Sequence, residues 1–260
     1  RRQTLPILAN VLINAGNGKI NITATDLEVE MKTTTVVDCD NETDFTLPAR
    51  KLLDICKALP EESTIELNVE NERVVIKSGR SRFTLGVLPA NDYPSIEPSA
   101  SSHRFTITQK LLKRLIEKTQ FAMAIQDVRY YLNGLLLEMN EGLIRAVATD
   151  GHRLALSEAE CVLGQETGLQ VILPRKAVLE LARLLSDSEE LLEIDASSNH
   201  IRFTMGETSF TSKLIDGKFP DYQRVLPMNT DKAINAEPEQ LTKALMRRVT
   251  LSTQNLRALR

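Results

Sequence analysis

Two periods of hydrophobic and polar positions take turns along the chain. From Leu8 to Asp26, LANVLINAGNGKINITATD, an apolar run, a turn containing glycine and a second run read as a β-hairpin. Residues 50–59 then place Leu52, Leu53, Ile55 and Leu59 along one side at helical spacing, which predicts an amphipathic helix. The alternating segments of IELNVENERVVIKS follow as strands, and the stretch closes on Tyr93-Pro94.

The same order of elements recurs. LNGLLLEMNEGLIRAVATD, Leu132 to Asp150, lies on the first hairpin without gaps at a constant offset of 124, so that Gly18 meets Gly142 and Ala24-Thr25-Asp26 meets Ala148-Thr149-Asp150. At an offset of 126, Leu47-Pro48 meets Leu173-Pro174, and Val178, Leu179, Leu181 and Leu185 repeat the helix. LLEIDASSNHIRFT repeats the strands, Arg82-Phe83-Thr84 faces Ser209-Phe210-Thr211, and Phe219-Pro220 closes the second copy. A repeat of this kind decides the architecture ahead of any single element.

The second copy opens with a further helix at 109–123, QKLLKRLIEKTQFAM, with Thr108 as its N-cap. The first copy has no room for such a helix ahead of Arg1. PEQLTKALMRR, 238–248, can be laid on it with Leu241 on Leu112 and Leu245 on Ile116, so a third copy begins there. Linkers fall where proline and serine gather, at 95–102 and 227–232. The expected domains are 1–102, lacking a leading strand and helix, 103–231, complete, and 232–260, the start of a third. The chain begins Arg1-Arg2-Gln3 without a methionine and reads as a fragment.

Composition narrows the class without changing this outline. With 260 residues, 42% of them apolar and 26% charged, the chain has enough material for a real core and suits a soluble globular protein. It has no apolar run near the length of a membrane helix and no leader, so the expected location is the cytoplasm and no membrane partner is expected. Cys39, Cys56 and Cys161 are odd in number and far apart, giving neither a disulfide framework nor a metal knuckle. They are read as reduced packing residues, with no metal and no cofactor expected.

A net charge of −3 at first argues against a nucleic-acid partner. Counted by element, the picture changes. The four predicted helices carry thirteen basic and four acidic residues, which leaves the rest of the chain at −12. If the helices share one side of a sheet, that side is positive and the remainder repels nucleic acid. Basic residues also suit exposed helix faces for solvation alone, although four helices share the bias. No base-reading module is present, so any contact would be with phosphate, independent of sequence and sensitive to salt.

Asp150-Gly151-His152-Arg153 is the most chemical-looking cluster, since an aspartate can orient a histidine base. It has no nucleophile beside it, and no nucleophile elbow, zinc helix or phosphate loop occurs in the chain. A hydrolase using Asp150 and His152 therefore stands as an alternative. A turn common to both repeats, with extra polar decoration in the second only, points instead to binding. In Gln126-Asp127-Val128-Arg129-Tyr130-Tyr131, paired tyrosines are either strand packing or a surface for a sugar-phosphate backbone or bases.

ATDGHRLA, QDVRYYLNG, LPARKLLDIC, SGRSRFTL, TSKLIDGKFPDY and VILPRK together resemble the bacterial DNA polymerase III beta subunits, the sliding clamps, over essentially the whole chain. The resemblance implies an α+β fold made of tandem DNA-clamp repeats, with antiparallel sheets outside and paired helices on the inner face. It implies a processivity factor without catalytic activity of its own, in which three such domains per protomer close head to tail into a homodimeric ring around duplex DNA. A DNA-binding module that forms no ring is the other alternative. By the same resemblance, Arg2, Arg50, Gln126, Tyr130 and Tyr131 are expected to contact DNA. Leu132, Thr149, Gly151, His152, Arg153, Leu154, Pro220, Arg224 and Val225 are expected to take the short peptides of the replicative polymerase, the clamp loader and repair proteins. Lys51, Phe83 and Leu85 are expected on one side of the ring interface, with Thr250 and Leu251 on the opposing side.

Overall fold

The computed structural model describes residues 5–39, 41–96, 102–140, 142–161, 168–227 and 235–251, without the side chains of 248–251. The chain divides into two compact units, 1–219 and 220–260. In the first unit, the first repeat runs β1 (Asn10–Gly16), β2 (Lys19–Thr25), β3 (Val29–Val36), β4 (Thr43–Pro48), α1 (Ala49–Ala58), β5 (Glu66–Glu70), β6 (Arg73–Ser78) and β7 (Ser81–Gly86). The second runs β8 (His103–Thr108), α2 (Gln109–Glu117), β9 (Gly134–Asn140), β10 (Leu143–Thr149), β11 (Leu154–Glu160), β12 (Leu169–Pro174), α3 (Arg175–Leu184), β13 (Leu191–Ala196), β14 (His200–Met205) and β15 (Thr208–Lys213). The second unit contains α4 (Pro238–Leu251), whose Leu241 and Met246 are exposed.

The hairpin offset holds to the residue. Leu12 pairs with Thr23 across β1 and β2, and Leu136 pairs with Val147 across β9 and β10. Three antiparallel sheets result, ordered β11-β10-β9-β12, β5-β6-β7 and β4-β1-β2-β3-β15-β14-β13-β8. The eight-stranded sheet passes from one repeat into the other where Met31 of β3 lies opposite Phe210 of β15. At that junction Lys213 N–H donates to Glu28 O at 2.9 Å, and Thr34 N–H donates to Glu207 O at 3.0 Å. The Lys176 ammonium of α3 pairs with Asp26 and Glu28 of the first repeat.

Each repeat has its own core. In the second, Leu112, Leu115 and Ile116 of α2 and Val178 and Leu181 of α3 meet Phe105, Leu137, Ile144 and Phe203 from the strands, all buried. The first is smaller, built on Val11, Ile13, Phe45, Leu47, Val74 and Ile76. There α1 lies on β1 and β4 and buries no side chain completely, whereas α2 and α3 pack on each other. The Tyr93 hydroxyl pins the end of the first repeat, accepting Thr25 N–H at 3.2 Å within reach of the Asn10 carbonyl at 3.1 Å. Burial raises the pKa of this phenol.

The helix expected over 109–123 is shorter than its pattern. Thr108 caps it, its Oγ1 accepting Leu111 N–H at 3.3 Å, but the helix stops at Glu117. Buried Thr119 turns its hydroxyl back onto Leu115 O at 2.7 Å, and a 3-10 turn over Gln120–Ala122 follows. Side-chain hydrogen bonds of this kind compete with the helical ladder.

Candidate functional site

The turn between β10 and β11 is held by its own polar atoms. Asp150 Oδ1 accepts the N–H groups of His152 at 2.9 Å and Arg153 at 3.0 Å, while Oδ2 accepts from Arg153 Nε at 3.1 Å. Partial burial opposes ionisation of Asp150, but these three donors outweigh it and hold the carboxyl below the usual range. The Thr149 hydroxyl accepts Gly151 N–H at 3.1 Å and donates to Arg153 O at 2.7 Å. Gly151 takes φ +87°, and Arg153 reaches out to Phe121 O at 2.7 Å with its guanidinium 5.7 Å over the Phe121 ring.

This geometry corrects the hydrolase alternative. Asp150 binds the main chain of His152 and not its ring, and Arg153 occupies its other oxygen, so no aspartate-oriented histidine base is formed. The equivalent turn in the first repeat is closed the same way, with Asp26 Oδ1 accepting Glu28 N–H and Val29 N–H. The aspartate is a turn former in both copies.

A second loop meets this turn. Asp127 accepts the Arg129 guanidinium on both oxygens, at 3.0 and 2.8 Å, and the Arg129 N–H at 2.8 Å, which lowers its pKa to about 2. Asn133 clamps the loop from behind, accepting Asp127 N–H and donating to Asp127 O. Arg129 then spans to Asp150 O at 3.3 Å, with its guanidinium against Gly151. Two segments some twenty residues apart, each singled out from sequence for a different role, are thus braced together by one arginine. Gln126, at φ +57°, and Tyr130 are exposed, and Tyr130 meets Tyr131 edge to face at 5.7 Å. Leu132 is buried and supports the loop from within, while Leu154 is half-buried at the start of β11.

Sequence reasoning missed Phe121, Arg129, Asp127 and Asn133. Phe121 lay inside the helix read over 109–123; the helix ends at Glu117, and Phe121 stands 57% exposed in the turn that follows.

The other expected residues are scattered. Arg50 is exposed on α1, paired only loosely with Asp54 at 3.5 Å, and Lys51 beside it is exposed. Phe83 and Leu85 are half-buried on β7. Arg2 lies outside the described residues, and Thr250 and Leu251 end α4 with side chains outside them. In the second unit, Pro220 is exposed, Arg224 pairs with Asp221 at 2.8 Å, and Val225 is 68% exposed.

The cations counted by helix differ in their partners: Lys176 and Arg183 of α3 and Lys243 of α4 are ion-paired. Among the described residues, Lys51 and Lys57 of α1, Lys113 and Arg114 of α2, and Lys118 just after it take part in no ion pair. Among the described residues, β7 and β11 are edge strands, pairing with β6 and β10. Arg73 and Lys77 of β6, Arg80 in the turn after it and Arg82 of β7 are exposed, and β11 carries Glu158, paired with Arg145 at 2.7 Å, and exposed Glu160. Counting cations by helix concealed that basic strand edge.

Residues 1–97 match the family model for the N-terminal domain of the DNA polymerase III beta subunit, and residues 106–221 match the model for its central domain. Over its whole length the chain is 51% identical to the beta sliding clamp of Pseudomonas aeruginosa and 47% identical to that of Escherichia coli, spanning 71% of each. A solved P. aeruginosa sliding clamp bound to griselimycin superposes with a TM-score of 0.94 at 51% identity, covering 99% of this chain and 70% of that one. The Caulobacter crescentus pol III beta structure gives 0.91 at 40% identity, over 97% of this chain and 70% of that one. With the repeats, the sheets and these likenesses in agreement from end to end, the chain belongs to the bacterial beta sliding clamp family.

Proposed function

We propose that this clamp chain acts in replication by presenting α1 and α2 to the phosphates of encircled duplex DNA, tethering a polymerase by topology and not by base recognition. The observation that carries this reading is the set of cations without acidic partners on α1 and α2 in a chain whose net charge is negative. Unpaired lysine and arginine release counterions on meeting phosphate and hold no sequence register, so the protein can slide. Arg50, Gln126, Tyr130 and Tyr131 add contacts beside them, an exposed ring and amide being suited to the sugar-phosphate backbone.

The shelf formed by Thr149, Gly151, His152, Arg153, Leu154 and Phe121 over buried Leu132 takes a short partner peptide, with apolar surface for its hydrophobic residues and Arg153 for a carboxylate or carbonyl. Polymerase, clamp loader and repair proteins are the partners, and all chemistry resides in them. The domains are 1–102, 103–231 and 232–260, and the location is the cytoplasm. Ring closure uses open sheet edges, with Lys51, Phe83 and Leu85 on one side.

The deciding experiment uses the chain extended to the length of its relatives, loaded on nicked circular duplex. Retention on the circle, lost when the DNA is linearised, is the expected result. Equal retention on both forms overturns the encircling mechanism.

A further inference from the structure

The eight-stranded sheet has two faces of different character. One carries Ile13, Phe203 and Phe210 into the two cores, and the other is polar where the repeats join. On that polar face Lys32 of β3, Ser209 of β15 and Thr204 of β14 stand opposite one another, and Glu30, Thr211 and Arg202 form the next row. Side chains directly opposite in an antiparallel pair share a face. A cleft of about 580 Å³ opens over these rows, lined also by Leu12, Ile96 and the Gly206-Glu207 turn. Its volume falls within the range of about 300 to 1,000 Å³ typical of small-molecule sites.

The cleft holds donors that the fold does not use. Arg202 is half-buried and its Nε donates to Thr211 Oγ1 at 3.3 Å, but no carboxylate pairs with it among the described residues. A guanidinium carries five N–H donors, of which this bond takes one. Lys32 is exposed and forms no ion pair, and the hydroxyls of Ser209 and Thr204 bond to no other group among the described residues. Glu30 shares a strand with one cation and a row with the other, yet it accepts Ile96 N–H at 2.9 Å instead of pairing with either. The backbones of β3 and β14 lie about 10 Å apart on either side of β15, a span that a lysine and an arginine side chain close onto one tetrahedral anion above Ser209.

We propose that this cleft binds a small phosphate ester bearing hydroxyl groups, the chemistry that a nucleotide and a sugar phosphate share. The Lys32 ammonium, the Arg202 fork and the Ser209 and Thr204 hydroxyls hold the phosphate, and charge-assisted donors of this kind are the strong ones. Glu207 selects the ester over the bare anion. It stands opposite Thr34, whose N–H its main-chain carbonyl accepts at 3.0 Å, so the turn is kept against β3. That places it about 7 Å along the strands from the Lys32 row and about 14 Å from the Arg202 row, where a carboxylate accepts from sugar hydroxyls without meeting the phosphate. Leu12 and Ile96 give the remainder of the ligand an apolar surface. Lys32 and Leu12 come from the first repeat and Arg202, Ser209 and Thr204 from the second, so an occupant ties the joint together. The site lies on the face away from the cores and is independent of the DNA and peptide contacts.

Calorimetric titration of the whole 260-residue chain with adenosine monophosphate, ribose phosphate, inorganic phosphate and adenosine tests this. Both esters are expected to bind saturably and more tightly than inorganic phosphate, with no binding of adenosine, and the tighter ester tells whether a base is held beside the sugar. Lys32→Gln and Arg202→Gln should each weaken the esters by about tenfold while the ligand-free chain unfolds as before. Glu207→Gln should remove the advantage of the esters over inorganic phosphate. Replacing Lys113, Arg114 and Lys118 by alanine should leave the affinity unchanged, which separates the cleft from the basic helices. Absence of ester binding at millimolar concentration overturns the proposal. So does binding that survives Lys32→Gln and Arg202→Gln together, binding that falls with the helix cations, or equal affinity for inorganic phosphate and both esters. Retention of the longer clamp on circular DNA is read separately, so failure of either leaves the other standing.

Discussion

Leu27 and Gly151 occupy the same place in the two copies of the turn, just after the aspartate that closes it, and both lie in the left-handed region at φ 76° and +87°. An L side chain there costs about 1 to 2 kcal/mol, which the first repeat bears and the second avoids. At Gly151 space is short as well, since an added Cβ would lie 3.0 Å from both terminal nitrogens of Arg129. Gly151→Ala is therefore expected to destabilise the chain by about 1 to 2 kcal/mol in urea unfolding, and to weaken binding of a partner peptide as Arg129 is displaced. Leu27→Gly should change stability by less than about 1 kcal/mol, because relief of strain offsets the greater freedom of the unfolded glycine. Asp127 offers a pH readout beside it. Its folded pKa is depressed to about 2 by Arg129, so its contribution is complete above the ordinary carboxylate value of about 4 and is lost as the pH falls towards 2. Amide exchange or NMR shifts of residues 126–133 should move over that acid range, and Asp127→Asn should abolish the movement.

Among the elements, those generated by local pattern were legible and those requiring distant partners were not. The hairpins β1-β2 and β9-β10 follow from apolar runs around glycine turns, and α1 and α3 begin within a residue of the spacing of Leu52, Ile55, Val178 and Leu181. Helix α2 was read too long because nothing in QKLLKRLIEKTQFAM shows that Thr119 will be buried and bond back to Leu115. The pairing of β3 with β15 was hidden altogether, since Met31 and Phe210 stand on opposite sides of a repeat boundary. In the site, the Asp150 turn and the tyrosine pair were visible as motifs, but Arg129 as the brace between them depends on tertiary placement. For function, α2 is the informative helix: its buried stripe of Leu112, Leu115 and Ile116 leaves Arg114 and nearby Lys118 exposed and Lys113 half-exposed. Replacing Lys113, Arg114 and Lys118 together by alanine should leave thermal unfolding nearly unchanged. It should flatten the dependence of log K on log salt by up to roughly 2 to 3 units for duplex binding at low salt. An unchanged slope would remove α2 from the DNA surface.

For the molecule as a whole, the joint between repeats determines whether two small cores behave as one body. The eight-stranded sheet crosses it without a break, and Lys176 of α3 pairs with Asp26 and Glu28 of the first repeat, on either side of the strained turn at Leu27. These groups are partly exposed, so the pair contributes little to global stability, of the order expected for surface ion pairs. Lys176 ties α3 to the β2-β3 turn, while the strand pairs supply the cohesion. Lys176→Glu replaces attraction by repulsion from two carboxylates without touching either core. Hydrogen exchange in β3 and β15 is then expected to quicken several-fold while exchange in β9 and β10 stays as it was, and the melting temperature should fall by only a few degrees. Uniform quickening across both repeats would mean that the joint and the cores unfold as a single unit, and that strand pairing alone, without the lysine, sets the geometry on which a clamp depends.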